Sequence, residues 1–329
     1  MYWKYFRTVI SLVISGLAIY LSLRYVELTQ VIKSLSGTDL KYVWLALGSV
    51  ATNTLLKAIR WQMLLGKRKF QVGFSQMMMS LLSGQMLNTL FPARFGDLSR
   101  AYFVGESGIG SFYVLGTVAF EKALDVIAYT LLFVIFVLWF PLPNWVSRPL
   151  PISILISLGL LILIIIMVKQ QGWLIKKFFR SIDRLPPDMK FKLKQYFLDV
   201  LSSINIIDRR SLLTKLVLIT SLVWATAVLN NHLALFAFGI SLPLTTSMLL
   251  LISLQIGISL SSIPGNIGIF EYTCILVLTF AGVSRELALS YGILLHAIVM
   301  IPSTFLGLIS FLYMSIANKR EGSYKIATK

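Results

Sequence analysis

Residues 151–168 read PISILISLGLLILIIIMV, an apolar run of 18 residues with no charged side chain. As a helix rising about 1.5 Å per residue, it spans roughly 27 Å, close to the hydrocarbon thickness of a bilayer. Comparable runs recur near residues 5–24, 42–60, 111–140, 212–238 and 287–316. They are continuously apolar rather than alternating, which excludes a membrane β-barrel. Composition agrees: of 329 residues, 57% are hydrophobic and 13% charged, with mean hydropathy +0.81, whereas soluble domains carry roughly a quarter charged residues. A soluble enzyme, a disordered chain, a coiled coil and a disulfide scaffold are thereby excluded. The reading is an all-α, polytopic helical membrane protein, a single transmembrane domain over residues 1–329.

Two further apolar stretches are broken. Residues 74–104 are interrupted by Asn88-Thr89-Leu90-Phe91-Pro92-Ala93-Arg94-Phe95-Gly96-Asp97, and residues 245–283 by Ser261-Ser262-Ile263-Pro264-Gly265-Asn266-Ile267-Gly268. Proline and glycine interrupt the helical hydrogen-bond ladder, and the freed groups survive at membrane depth only where protein or water satisfies them. Six full spans plus two broken hairpins, re-entrant or spanning, follow.

Thirty Lys and Arg against thirteen Asp and Glu give a net charge of +17. The excess concentrates in loops: Lys57, Arg60, Lys67, Arg68 and Lys69 in one, ten Lys or Arg between Lys169 and Arg210 in another. Cationic loops mark the cytoplasmic side, so both termini are expected there and nucleic acid is not an expected partner. With that orientation, residues 42–140 and 212–316 each read as span, broken hairpin, long span, in opposite senses. This is the plan of an inverted-repeat transporter, although any hydrophobic chain with two Pro-Gly breaks parses the same way.

Within the loop 169–211, Trp173, Leu174, Phe178 and Ile182 alternate with Lys176, Lys177 and Arg180 at helical spacing. Basic amphipathic helices resting on an anionic leaflet have this pattern, and so does an ordinary cytoplasmic helical hairpin. The lone cysteine, Cys274, forms no disulfide within the chain.

Ionisable groups inside apolar spans are costly and serve as functional candidates. These are Arg94, Asp97 and Arg100 in the first break, Glu121, Lys122 and Asp125 in the next span, and Glu271 after the second break. Glu121 and Asp125 share a helix face, and Thr117 and Tyr129 extend that stripe. Arg94 sits where a helix resumes after Pro92. There the free N–H groups and dipole favour an anion, and a guanidinium fork matches phosphate. Pro264, Gly265 and Gly268 make the corresponding break from the other leaflet, so two helix N-termini would form a midplane site for an anionic head group. Glu271 would orient a cationic substituent or pair with Arg94 or Arg100. Against this stands a structural reading, in which the charges merely lock the hairpin to its neighbour. Met77, Met78 and Met79 read as packing, and His232 and His296 as hydrogen-bonded helix residues. No P-loop, nucleophile elbow, metal motif or cofactor motif occurs.

Three segments, in order, carry a family resemblance: Pro92-Ala93-Arg94-Phe95-Gly96-Asp97-Leu98-Ser99-Arg100-Ala101-Tyr102, Gly116-Thr117-Val118-Ala119-Phe120-Glu121-Lys122-Ala123-Leu124-Asp125, and Pro264-Gly265-Asn266-Ile267-Gly268-Ile269-Phe270-Glu271. The chain resembles the lysylphosphatidylglycerol synthase transmembrane region, also described as the flippase-like domain family. The family usually has Glu at Asp97, Arg at Lys122 and Gly at Asn266. The resemblance implies a prokaryotic plasma-membrane protein that translocates a lipid between leaflets, with an anionic phospholipid or a polyprenyl- or glycolipid as partner. The bifunctional members add a soluble lysyltransferase domain, for which the dozen residues after the last span leave no room. Two alternatives stay open: a membrane enzyme acting on a lipid-linked sugar or phosphate, with Asp97 or Glu121 as base, and a non-catalytic partner of a glycosyltransferase or lipid synthase.

Overall fold

The computed structural model describes residues 16–24, 26–91, 95–139, 148, 150–204, 210–260 and 263–327. After a helical stretch at 16–23 the helices are α1 (Leu28–Ser36), α2 (Leu40–Leu64), α3 (Phe74–Leu90), α4 (Phe95–Val104), α5 (Ser111–Trp139), α6 (Leu150–Lys169), α7 (Gln171–Ser181), α8 (Pro187–Ile204), α9 (Arg210–Ala237), α10 (Leu244–Leu260), α11 (Ile269–Phe280) and α12 (Arg285–Ala327). No strand occurs among the described residues. Leu150–Lys169, Ser211–Ala237 and Arg285–Ala317 are each long and apolar enough to cross a bilayer. Helices α2 and α5, of 25 and 29 residues, also exceed roughly 30 Å at 1.5 Å per residue. The expected span at 5–24 falls largely outside the described residues, as do Pro92, Ala93 and Arg94 in the first break.

Local chemistry sets several boundaries. Asp39 caps α2 by accepting the Lys41 N–H at 2.9 Å, and α2 then continues to Leu64. Lys57 and Arg60, expected in a loop, are therefore part of the helix. The first break is a tight hairpin in which the α3 and α4 backbones touch. A Cβ built on Gly96 would lie 1.8 Å from the Gly84 carbonyl oxygen, so only glycine allows this approach. The second break is a single turn, Pro264–Asn266, with φ of +69° at Gly265 and +54° at Asn266.

Two sets of four helices interlock, α2–α5 and α9–α12. Exchanging α2 with α9, α3 with α10, α4 with α11 and α5 with α12 maps several packing pairs onto one another, although α3 packs on α12 far more extensively than α10 does on α5. Thus α2 lies along α9, their own counterparts. The broken hairpin arm α3 packs on α12, and its counterpart α10 packs on α5. Across the α2–α9 seam, Ser49 donates to the Thr226 carbonyl at 2.9 Å, and the Asn53 amide to the Val223 carbonyl at 2.6 Å. Such polar contacts bind helices where lipid removes most of the hydrophobic drive. One apolar core centres on the first set, around Trp61, Leu81 and Val114, with Leu216 contributed by α9. The other centres on the second set, around Leu250, Leu278 and Tyr291, with Phe133 and Phe136 contributed by α5.

The basic segment is folded as a hairpin. Phe178 of α7 stacks on Phe197 of α8 with ring centroids 4.0 Å apart, and Tyr196 stacks on Phe112 at 3.8 Å. Between the two helices Lys190 hydrogen-bonds Asp183 and holds its carboxyl below the ordinary aspartate range. Helix α8 is thus docked on the start of α5 through its aromatic face.

Gly96→Ala is expected to destabilise the protein by about 1–3 kcal/mol or more, because the α3–α4 hairpin has to open. Gly48, on α2, has open space where a Cβ would stand, so Gly48→Ala leaves stability unchanged or raised. Thermal unfolding of both variants in detergent, followed by intrinsic fluorescence, separates the two outcomes.

Candidate functional site

Helices α2, α3, α4 and α5 bring seven charged side chains together. On α5 the four-residue spacing turns Glu121 and Asp125 to one side. Arg60 of α2 answers both: Nη1 lies 2.6 Å from one Asp125 oxygen, and Nη2 lies 3.1 Å from the other and 3.1 Å from Glu121 Oε1. Arg100 of α4 takes the second Glu121 oxygen, with Nη2 2.7 Å from Oε2. Glu121 is thus shared by two guanidiniums from different helices. Beneath them, the Trp61 indole supports the Arg100 guanidinium carbon at 4.0 Å from the ring centroid and donates to Thr117 Oγ1 at 3.2 Å. At the hairpin mouth, Lys122 lies 3.8 Å from Asp97. Asn88 donates to Asp97 at 3.1 Å and accepts the Gly96 N–H at 2.9 Å.

Burial gives these pairs their weight. Arg60 is 0% exposed, and Arg100 and Glu121 are 3% each. Charges this enclosed hold together only while the set is complete, because removing one partner leaves the other desolvated and uncompensated.

Beside the cluster lies a hollow of about 130 Å³, lined by Lys57, Asn88, Asp97, Arg100, Lys122 and Asp125 among others. By volume it accommodates several water molecules. Counting Arg60 behind its wall, Lys57, Arg60, Arg100 and Lys122 oppose Asp97, Glu121 and Asp125, a net of +1. Lys57 forms no hydrogen bond or ion pair within 4 Å among the described residues, although Asp125 and Glu121 act on it electrostatically. Among the described residues the buried Nε of Arg100, which lines the hollow, also has no acceptor, and neither has the Nε of Arg60 behind it. Unmet donors beside a hollow, with net positive charge, suit an anion carrying several acceptor oxygens.

Of the residues singled out by sequence, Asp97, Arg100, Glu121, Lys122 and Asp125 line this one hollow. Pro264, Gly265, Gly268 and Glu271 are not among its lining residues, and Arg94 lies outside the described residues. The second break is close by nevertheless, its Pro264–Asn266 turn packing against α3. Glu271 pairs with neither Arg100 nor any other arginine among the described residues. It accepts the Gly268 N–H at 2.7 Å, closing the start of α11, and meets His296 Nδ1 of α12 at 2.6 Å. The His296 ring stacks on Phe270 with centroids 4.3 Å apart, so this histidine is hydrogen-bonded as expected. Arg60 and Lys57 are the functional candidates that sequence reasoning missed. The available signal was spacing: Lys57, Arg60 and Trp61 fall on one helical face directly after an apolar run.

Arg60→Met is expected to destabilise by about 3–5 kcal/mol, since Asp125 loses its partner and Glu121 keeps one guanidinium. Adding Asp125→Asn recovers part of that loss. A double-mutant cycle of unfolding midpoints in detergent reads the coupling, and strict additivity would contradict the shared-ion arrangement.

Comparison with known proteins bears on the same segments. Residues 8–307 match the model of the family described as "Lysylphosphatidylglycerol synthase TM region". A UPF0104 membrane protein of Pyrococcus horikoshii is 24% identical over 322 residues, covering 90% of this chain and 94% of that protein. A UPF0104 membrane protein of Methanothermobacter thermautotrophicus is 25% identical over 275 residues, covering 78% and 80%. With a match across both helix sets and both breaks, the chain belongs to the lysylphosphatidylglycerol synthase transmembrane-region family of integral membrane proteins.

Proposed function

We propose that this protein binds a lipid with an anionic phosphate head group and carries it between leaflets, the head group occupying the hollow beside Lys57 and Arg100. The observation that carries this reading is the unspent donor capacity there. Lys57 has no ion pair, Arg100 Nε has no acceptor, and the surrounding charges sum to +1. A phosphate supplies the missing acceptors. Asp97 and Asp125, with side chains 17% and 27% exposed, are placed to meet a cationic substituent on the same head group. Family membership supports a lipid as the ligand, and the lipid classes in view are an anionic phospholipid and a polyprenyl- or glycolipid.

The charge cluster also weighs against the enzyme reading. Both oxygens of Glu121 are engaged by guanidiniums, and Asp97 is held by Asn88 and Lys122. Neither carboxylate is free to take a substrate proton. With no nucleotide motif in the sequence, transport runs downhill or is coupled to a gradient. The basic loops and both termini face the cytoplasm in this scheme, in a plasma membrane. Arg94, which precedes α4 in the sequence, would be a further phosphate donor in this reading, and the break at Pro264, Gly265, Gly268 and Glu271 would supply the opposite gate.

Lys57→Met is expected to lower translocation of fluorescent phosphatidylglycerol in proteoliposomes at least about tenfold, the value of one charge-assisted hydrogen bond. No ion pair is broken by the change, so the unfolding midpoint stays near wild type. Arg94→Ala lowers the rate in the same assay. Unchanged lipid movement in both variants, with wild-type reconstitution efficiency, would reject the assignment.

A further inference from the structure

We infer that a second, separate site at the basic end of the first helix set holds the phosphate of an anionic phospholipid at the membrane surface. A pocket of about 610 Å³ opens there, where the end of α2, the turn Gly66–Gln71 and the starts of α5 and α9 meet. Lys67, Arg68, Lys69 and Lys215 line it together with Phe70 and Tyr113, and no carboxylate lines it among the described residues. It shares no lining residue with the hollow at Lys57.

The four cations divide into one that builds the pocket and three that remain free to bind. Arg68 is spent on the scaffold: Nη1 donates to the Ile109 carbonyl at 2.6 Å, the guanidinium faces Asp199 at 3.4 Å, and its carbon sits 4.0 Å from the Tyr113 ring centroid. Tyr113 in turn donates to the Leu65 carbonyl at 3.2 Å, which fixes the turn. Lys67, Lys69 and Lys215 form no ion pair among the described residues; the Lys69 ammonium only approaches the Phe70 ring, at 5.1 Å. Like charges collected around an open pocket repel each other unless an anion joins them.

A lipid fits better than a free anion because the pocket continues into apolar surface. Phe70 is 83% exposed at its rim. On α9, Leu218 and Leu222 follow Lys215 on the same helical face, and they are 60% and 52% exposed. A phosphate held at Lys215 would let its acyl chains run down that stripe into the hydrocarbon, as basic pockets between transmembrane helices hold anionic head groups.

The test uses the full chain purified in detergent, with lipid binding read by native mass spectrometry. In a Lys57→Met background, in which the hollow no longer contributes, phosphatidylglycerol is expected to bind about tenfold or more tightly than phosphatidylcholine, and Lys67→Gln with Lys215→Gln to remove that preference. Both side chains are exposed, so the double variant folds, which the unfolding midpoint verifies. Because Lys57 belongs to the head-group site proposed for the hollow, the Lys57→Met background separates this pocket from the hollow and from the transport proposal. Inorganic phosphate at millimolar concentration does not displace the lipid. Equal binding of the two lipids in the Lys57→Met background, or retention of the preference there after Lys67→Gln with Lys215→Gln, would overturn the inference. Displacement by inorganic phosphate would reassign the pocket to a free anion and overturn it likewise.

Discussion

The carboxylate of Glu121 receives one guanidinium from α2 and another from α4 while itself belonging to α5. Three helices therefore converge on a group that water hardly reaches. In a lipid environment helix association has little hydrophobic drive of its own, so an ionic junction fixes the relative position of its partners more strictly than aliphatic packing. The α3–α4 hairpin is tied to it through Arg100 and through the Gly84–Gly96 backbone contact, and Trp61 and Thr117 close it from below. The hollow at Lys57 exists because these bonds hold its walls.

The junction is closed at its centre and leaves unmet donors at the hollow. Its inner members satisfy each other, while donors at its edge do not. Among the described residues, Lys57 and the Nε of Arg100, both lining the hollow, are left over from that network. A ligand that meets those donors adds to the network without dismantling it. The second set, by contrast, places a carboxylate–imidazole pair, Glu271 with His296, at its break. The two halves share a packing plan and differ in the chemistry built upon it.

Much of this was legible in the sequence. Continuous apolar runs give helices, and a charge within such a run is conspicuous, so Asp97, Arg100, Glu121, Lys122 and Asp125 could be grouped before any coordinates. The breaks declared themselves through Pro92 and Pro264. Arg60 and Lys57 were hidden because cations at the end of an apolar run are ordinarily loop residues facing water, and only the extension of α2 to Leu64 draws them inward. The Glu271–His296 pair joins residues 25 apart on different helices, which no local pattern encodes. The packing exchange between the two sets concerns contacts, and the residues making them differ, so the sequence offered only the order of elements.

Asn266 adopts φ of +54° in the turn of the second break, the one non-glycine residue with positive φ among the described residues. Side chains with a Cβ resist that backbone region, and asparagine resists least because its short amide can bond locally. The side chain at 266 therefore adds little backbone strain to the turn. A β-branched or bulky side chain at 266 would instead strain this turn and disturb the start of the helix that follows.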